Sequence, residues 1–151
     1  MAFGERSIDR ILLKKDQKGC EIVGVDTQNF HKNPNHDVWL NNTNFLEYGL
    51  EGNIGKFDLI ISNPPFKHAQ QMIEMSFDLL KEGGQIVALL RLAFLESQKR
   101  YSFFKENNPY EVSVFSKRSS FTGDGKAYPM AFAGFSWLKN YHGDTKLSWL
   151  N

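Results

Sequence analysis

The clearest hydrophobic pattern in this chain is the run Phe57-Asp58-Leu59-Ile60-Ile61-Ser62, which leads straight into Asn63-Pro64-Pro65-Phe66. A short apolar run with Ile-Ile inside it, closely bounded by turn-formers, predicts a buried strand over 57–62. Downstream, Met72, Ile73, Met75, Phe77, Leu79 and Leu80 recur at helical spacing. That stripe reads as core packing, with Gly83-Gly84 as the glycines expected just past a helix end. Gln85 to Leu90 reads as a second buried strand, and Arg91 to Glu96 leads into a helix from about Leu95 to Glu106, with Lys99, Arg100 and Lys105 on its wet side. Pro109 turns the chain into a strand over Tyr110 to Phe115. Ala131 to Trp137 predicts a late strand, Tyr141 to Asp144 a turn, and Leu147 to Leu150 a segment able to pair beside that strand.

The amino-terminal third is less regular. Ile8, Ile11, Leu12 and Leu13 suit a helix running to about Lys15, started by Ser7 or Asp9 and ended by Lys18-Gly19. Glu21 to Asp26 predicts a strand closing on an acid, and Val38 to Leu40 a short strand. Between them, Thr27 to Asp37 is a polar loop whose His31 and His36 lack a second ligand at metal spacing, so no metal site is expected. Alternating β and α elements imply a mostly parallel sheet covered by helices on both faces.

Composition narrows the class. The chain has 151 residues, 41% hydrophobic and 23% charged, which fits one globular domain with a real core. A net charge of +1 advertises no broadly basic surface but leaves room for a local patch. Cys20 is the single cysteine, so no internal disulfide forms. No signal-peptide pattern and no apolar run near the ~18 residues needed to span a bilayer occur, so no membrane partner and a cytoplasmic location are expected.

The proline elbow carries the chemistry. Asn63 precedes a proline and is pushed into an extended conformation, and neither proline offers an N–H donor. The Asn63 side-chain oxygen and the Pro64 carbonyl are acceptors at the carboxyl end of a strand, where open α/β sheets bind ligands. Two acceptors suit an exocyclic amino group, and Phe66 offers a flat face beside it. Acceptors that favour the developing tetrahedral nitrogen aid its attack on an electrophile, which fits amino-group methylation with S-adenosylmethionine. A second constellation is the glycine-bearing basic loop containing Lys117, Arg118, Ser119, Phe121 and Lys126. It suits phosphate contact and base stacking, or is a solvated connection.

Ser62-Asn63-Pro64-Pro65-Phe66 resembles the motif of amino-directed methyltransferases. Together with Arg91-Leu92-Ala93-Phe94-Leu95-Glu96 and Arg118-Ser119-Ser120-Phe121-Thr122-Gly123, it is similar to the small phage- and prophage-type DNA adenine-N6 methyltransferases, from about Ile22 to Trp137. The resemblance implies a Rossmann-like class I methyltransferase sheet with an antiparallel edge strand, acting on a flipped adenine with Asn63, Pro64, Pro65 and Phe66 in the catalytic elbow. It implies S-adenosylmethionine as cofactor, held by Phe3, Gly4, Asp26, Asn44 and Phe45. Gly4 to Asp26 matches the roughly 20 residues between a glycine loop and a ribose-binding acid. Asn44 would reach the cofactor's adenine amino group and Phe45 would pack on its ring. Arg6 departs from the family's second glycine, and the first central strand is expected to be missing, with another chain completing the sheet or supplying target selectivity. No separate target-recognition domain fits within 1–151. A phage-encoded member would act in the host cytoplasm. RNA or a protein glutamine amide remain alternative substrates, and a catalytically inactive remnant or binding module is an alternative function.

Overall fold

Eight strands form one sheet in the computed structural model, which describes residues 10–16, 19–26, 37–50, 52–117 and 130–151. They are β1 (Arg10–Asp16), β2 (Gly19–Val25), β3 (Val38–Leu40), β4 (Phe57–Ser62), β5 (Leu80–Arg91), β6 (Glu111–Phe115), β7 (Phe132–Leu138) and β8 (Lys146–Leu150). Their spatial order is β3-β2-β1-β4-β5-β7-β6-β8. Helix α1 (Phe45–Leu50) joins β3 to β4, and α2 (Ala69–Leu79) joins β4 to β5. Two 3-10 turns, Leu92–Leu95 and Gln98–Arg100, lead into α3 (Tyr101–Glu106) before β6. Six strands run the same way, and only β1 and β7 oppose them.

The largest departure from the sequence reading lies at β1, where a helix was expected and a central strand was expected to be missing. Residues 10–16 are a strand, and they fill the slot between β2 and β4. Arg10 pairs with Val25 and Asp16 with Gly19 on one side, while Ile11, Leu12 and Leu13 pair with Ile61, Ile60 and Leu59 on the other. The physical reason is the ladder. Two inner strands with unpaired N–H and C=O groups need a partner, and an adjacent apolar segment returning through a hairpin supplies one at the expense of its helical spacing.

Other corrections follow from the same pairing rules. β7 is antiparallel but interior, flanked by β5 and β6, so the antiparallel strand does not form an edge. With both sides of β7 taken, β8 pairs in parallel with β6 instead. Glu111 helps fix that choice by accepting a 2.5 Å hydrogen bond from Ser148 Oγ and facing Lys146 Nζ at 3.7 Å. The Ser148 hydroxyl and then the Lys146 charge hold the Glu111 carboxyl below its usual range, against the opposing effect of its partial desolvation. Helix α2 stops at Leu79, and Gly83-Gly84 lie inside β5. Gly83 has φ +71°, and a Cβ on Gly84 would meet Leu80 Cδ2 and the Lys81 carbonyl at 2.9 Å. The expected 95–106 helix is broken because Arg100 turns inward: its Nε donates to the Phe94 carbonyl at 2.8 Å.

One sheet face carries the core. Ile60, Ile86 and Trp137 lie side by side across β4, β5 and β7, all with no exposed surface. The next row holds Ser62, Ala88, Phe135 and Val112. Phe103 of α3 meets Trp137 edge-on at 6.5 Å, and Phe94 meets Phe135 at 5.8 Å. Phe45 of α1 and Met72, Ile73 and Leu79 of α2 belong to the same cluster. On the opposite face Leu59, Ile61, Val87 and Leu89 are only half-buried, so the expectation of helices on both faces is not met among the described residues.

Leu12 is paired on both sides, so its substitution tests the β1 slot directly. Leu12→Pro removes a ladder donor from an interior strand and is expected to destabilise the fold by about 3 kcal/mol. Urea unfolding followed by circular dichroism measures it. A loss below that of an ordinary surface substitution would place residues 10–16 outside the sheet.

Candidate substrate site

The candidate residues gather where β2, β3, β4 and β5 end. Asp26 follows β2, Asn63 follows β4, and Arg91 closes β5. Because β1 and β7 run the other way, Arg10 and Phe132 begin their strands at this same end, opposite Val25 and Arg91.

The elbow forms as its sequence requires. β4 ends at Ser62, since Pro64 and Pro65 cannot donate to a ladder. The chain then turns through a hydrogen bond from the His68 amide to the Pro65 carbonyl at 2.9 Å and enters α2. Pro64 is buried, Asn63 is half-buried, and Pro65 and Phe66 are exposed. No hydrogen bond among the described residues engages the Asn63 side chain or the Pro64 carbonyl. Neither acceptor is taken up by the described protein, and both stand at the end of a strand paired on both sides.

Phe66 is 44% exposed and does not stand alone. The Arg91 guanidinium carbon lies 3.6 Å from the centre of its ring, and Phe132 approaches at 6.1 Å with a 43° tilt. Sequence reasoning assigned no role to Arg91 or Phe132. The available signal was an arginine at the end of an otherwise apolar strand, but its contact with Phe66 depends on β4 and β5 being neighbours.

The expected cofactor residues fare unevenly. Asp26 lies at the end of β2 with 8% of its surface exposed. Its backbone ties the region after β3 to the sheet, donating to the Leu40 carbonyl at 3.0 Å and accepting from the Thr43 amide at 2.9 Å. Asn44 caps its own helix: its side-chain oxygen accepts from the Leu46 amide at 3.0 Å, and its amide faces Glu47 at 3.4 Å. The acceptor expected to reach an adenine amino group is thus used to start α1. Phe45 is 1% exposed and part of the core, so the expected packing of its ring on adenine is corrected. Its buried face is occupied by protein. Phe3 and Gly4 lie outside the described residues, as do Arg118, Ser119, Phe121 and Lys126 of the basic loop. Lys117 is exposed just beyond β6.

A separate concavity of about 790 Å³ opens between α3 and β8, lined in part by Leu95, Tyr101, Phe104, Val112 and Leu147. It holds no charged side chain and lies away from the elbow. Among the described residues no helix is long and apolar enough to cross a membrane, and no three His, Cys, Asp or Glu side chains gather as a metal site.

The cap at Asn44 yields a measurable expectation. Asn44→Ala should destabilise the ligand-free protein by about 1 kcal/mol, and Asn44→Ser should restore most of it. Urea unfolding measures both. No change in either variant would return Asn44 to a ligand-binding role alone.

Comparison with known proteins bears on the fold. No protein-family model matches the sequence, and no curated protein matches it significantly. Among solved structures, a predicted O-methyltransferase from Agrobacterium tumefaciens superposes with a TM-score of 0.50 at 14% identity, covering 74% of this chain and 51% of its own. A protein assigned as a class I S-adenosylmethionine-dependent methyltransferase from Listeria monocytogenes superposes with a TM-score of 0.49 at 15% identity, covering 75% of this chain and 41% of its own. The chain thus spans about half the length of the solved structures it matches. At such identity the first likeness bears on the fold alone, a mixed α/β sheet shared with that protein.

Proposed function

We propose that this chain is a methyltransferase domain that transfers a methyl group from S-adenosylmethionine to the N6 amino group of adenine in DNA. One observation carries the reading. The Asn63 side chain and the Pro64 carbonyl are unengaged acceptors at the rigid end of β4, with the exposed ring of Phe66 beside them. The A. tumefaciens neighbour is described as an O-methyltransferase, and its fold supports methyl transfer as the general chemistry. The choice of an amino acceptor rests on the elbow.

The described residues fit the proposed cofactor at one end. Asp26 stands at the carboxyl end of β2, where an acid takes ribose hydroxyls in related sheets. When bound, S-adenosylmethionine supplies an electrophilic methyl group on a sulfonium centre. The chain's own groups act on the acceptor. Asn63 Oδ1 and the Pro64 oxygen accept the two N6–H bonds, drawing the nitrogen lone pair out of conjugation and aiming it. Phe66 holds the flipped base, since the amino group is unreachable inside the duplex stack. With the N6 lone pair so aimed by Asn63 and Pro64, the bound cofactor would supply the methyl group and leave as its thioether, and the surplus N6 proton would pass to solvent. No covalent enzyme intermediate is needed.

A second reading, a binding module without transfer, is favoured by the direction of β1. In a nucleotide-binding βαβ unit the glycine loop leaves the carboxyl end of a parallel strand. Here β1 enters at the site end, so among the described residues no strand at this position leads into such a loop. Isothermal calorimetry with S-adenosylmethionine separates the two readings. Binding supports the enzyme, and the reversed β1 predicts that it is weak.

Asn63→Ala is the test of the elbow. Removing one transition-state contact commonly lowers the rate ~10²–10³-fold, and the half-buried side chain makes no bond whose loss would unfold the protein. Methyl transfer to DNA, RNA and a glutamine-bearing peptide, with circular dichroism as the fold control, gives the comparison. Equal rates in both proteins would remove Asn63 from the mechanism, and transfer to RNA or peptide alone would replace the DNA reading.

A further inference from the structure

Arg91 is the polar group in the described molecule least explained by packing. Its Nε is buried with no hydrogen-bond partner, and no carboxylate among the described residues forms an ion pair with it. Arg91 as a whole is half-buried, so it is this one donor that is costly, and an unpaired buried donor kept in a native protein calls for an explanation. The guanidinium is stacked through its face on Phe66 at 3.6 Å, which leaves the planar edge of N–H donors for another group. That edge suits a tetrahedral or planar oxyanion, which it can engage with two parallel hydrogen bonds.

Strand order says which oxyanion. Asp26, on the proposed cofactor side, ends β2. Arg91 ends β5, on the other side of the β4 elbow. The elbow lies between them, so Arg91 belongs to the half of the site where the acceptor molecule enters. It is also backed by Phe132, its direct partner across β5 and β7, which limits how far the side chain can swing.

We infer that Arg91 binds a backbone phosphate of the polynucleotide whose base is presented at Phe66. The inference rests on the amino-methylation reading above and deepens it, because a phosphate contact at this position selects a nucleotide over a peptide amide. The stacked cation and the ring form one unit. Phe66 offers its remaining surface to the base, while Arg91 holds the phosphate beside it and so fixes how deeply the base sits against Asn63 and Pro64.

The probe is a short single-stranded oligonucleotide with one adenine, together with versions carrying a single neutral methylphosphonate at each successive position. Binding is followed by fluorescence anisotropy over a salt series, using the full chain, Arg91→Gln and Arg91→Lys. Wild type should lose affinity at one methylphosphonate position next to the adenine. Arg91→Gln should bind about tenfold more weakly. It should also lose sensitivity at that one position and show a salt slope smaller by roughly 0.7. Arg91→Lys keeps the charge and should keep the slope, which separates phosphate binding from damage to the fold. Oligonucleotide binding that persists in Arg91→Gln with the same slope and the same sensitive position overturns the inference but leaves the elbow mechanism standing. A loss of S-adenosylmethionine affinity in Arg91→Gln with unchanged oligonucleotide contacts also overturns it, assigning the guanidinium to the cofactor carboxylate. No oligonucleotide binding by wild type defeats the DNA reading itself, and this inference with it.

Discussion

The pairing of β1 with both of its neighbours is the constraint on which the rest of this structure depends. β2 and β4 make no ladder with each other; each is bonded to β1, over seven residue pairs on one side and three on the other. Interior backbone groups must be satisfied, and here a hairpin strand of opposite direction does it. Within the sheet, Asp26 on one half and the Asn63 elbow on the other are linked through these seven residues, while the packing of α1 against α2 joins the two halves above it. The parallel strands on either side keep the order of a Rossmann-like sheet, although the strand in the middle is reversed.

The other half of the sheet is held by packing rather than by a single seam. Ile60, Ile86 and Trp137 form a continuous buried row, Phe135 of the next row stacks beside Trp137, and Phe94 and Phe103 close over these rings with edge-on contacts. Trp137 also satisfies its ring N–H on the Asn107 carbonyl at 3.0 Å. The elbow and Arg91 therefore project from the firm side of the molecule. This suits groups that must hold a substrate atom in place, since positioning is only as good as the rigidity behind it.

What could be read from the sequence was what is decided locally. Phe57 to Ser62 reads as a strand and is one, because its apolar run and the two prolines fix both ends without help from the rest of the chain. The break in the ladder after Ser62 was legible for the same reason. Residues 10–16 were not, since Ile11, Leu12 and Leu13 fit a helical stripe, and only a vacancy elsewhere in the sheet turns them into a strand. The partner of β8 was equally hidden, as it depends on the interior position of β7 and on the Glu111–Ser148 bond. Phe45 shows the limit at the level of a site. An aromatic residue after Asn44 has the same pattern whether it stacks on a ligand or fills a core, and burial decides for the core. Arg91 and Phe66 meet only because two strands are neighbours.

The reversed hairpin strand also sets where the molecule should open first. β1 and β2 pair along their whole length, whereas β1 meets β4 at only three positions. A sub-global fluctuation that parts the shorter ladder would release β1, β2 and β3 together as one cooperative unit and leave the aromatic half intact. Amide exchange would then divide the sheet into two protection classes along the line between Leu12 and Ile60. The two halves of the site would fall on opposite sides of that line, so its integrity would track the stability of the weaker class rather than that of the protein as a whole.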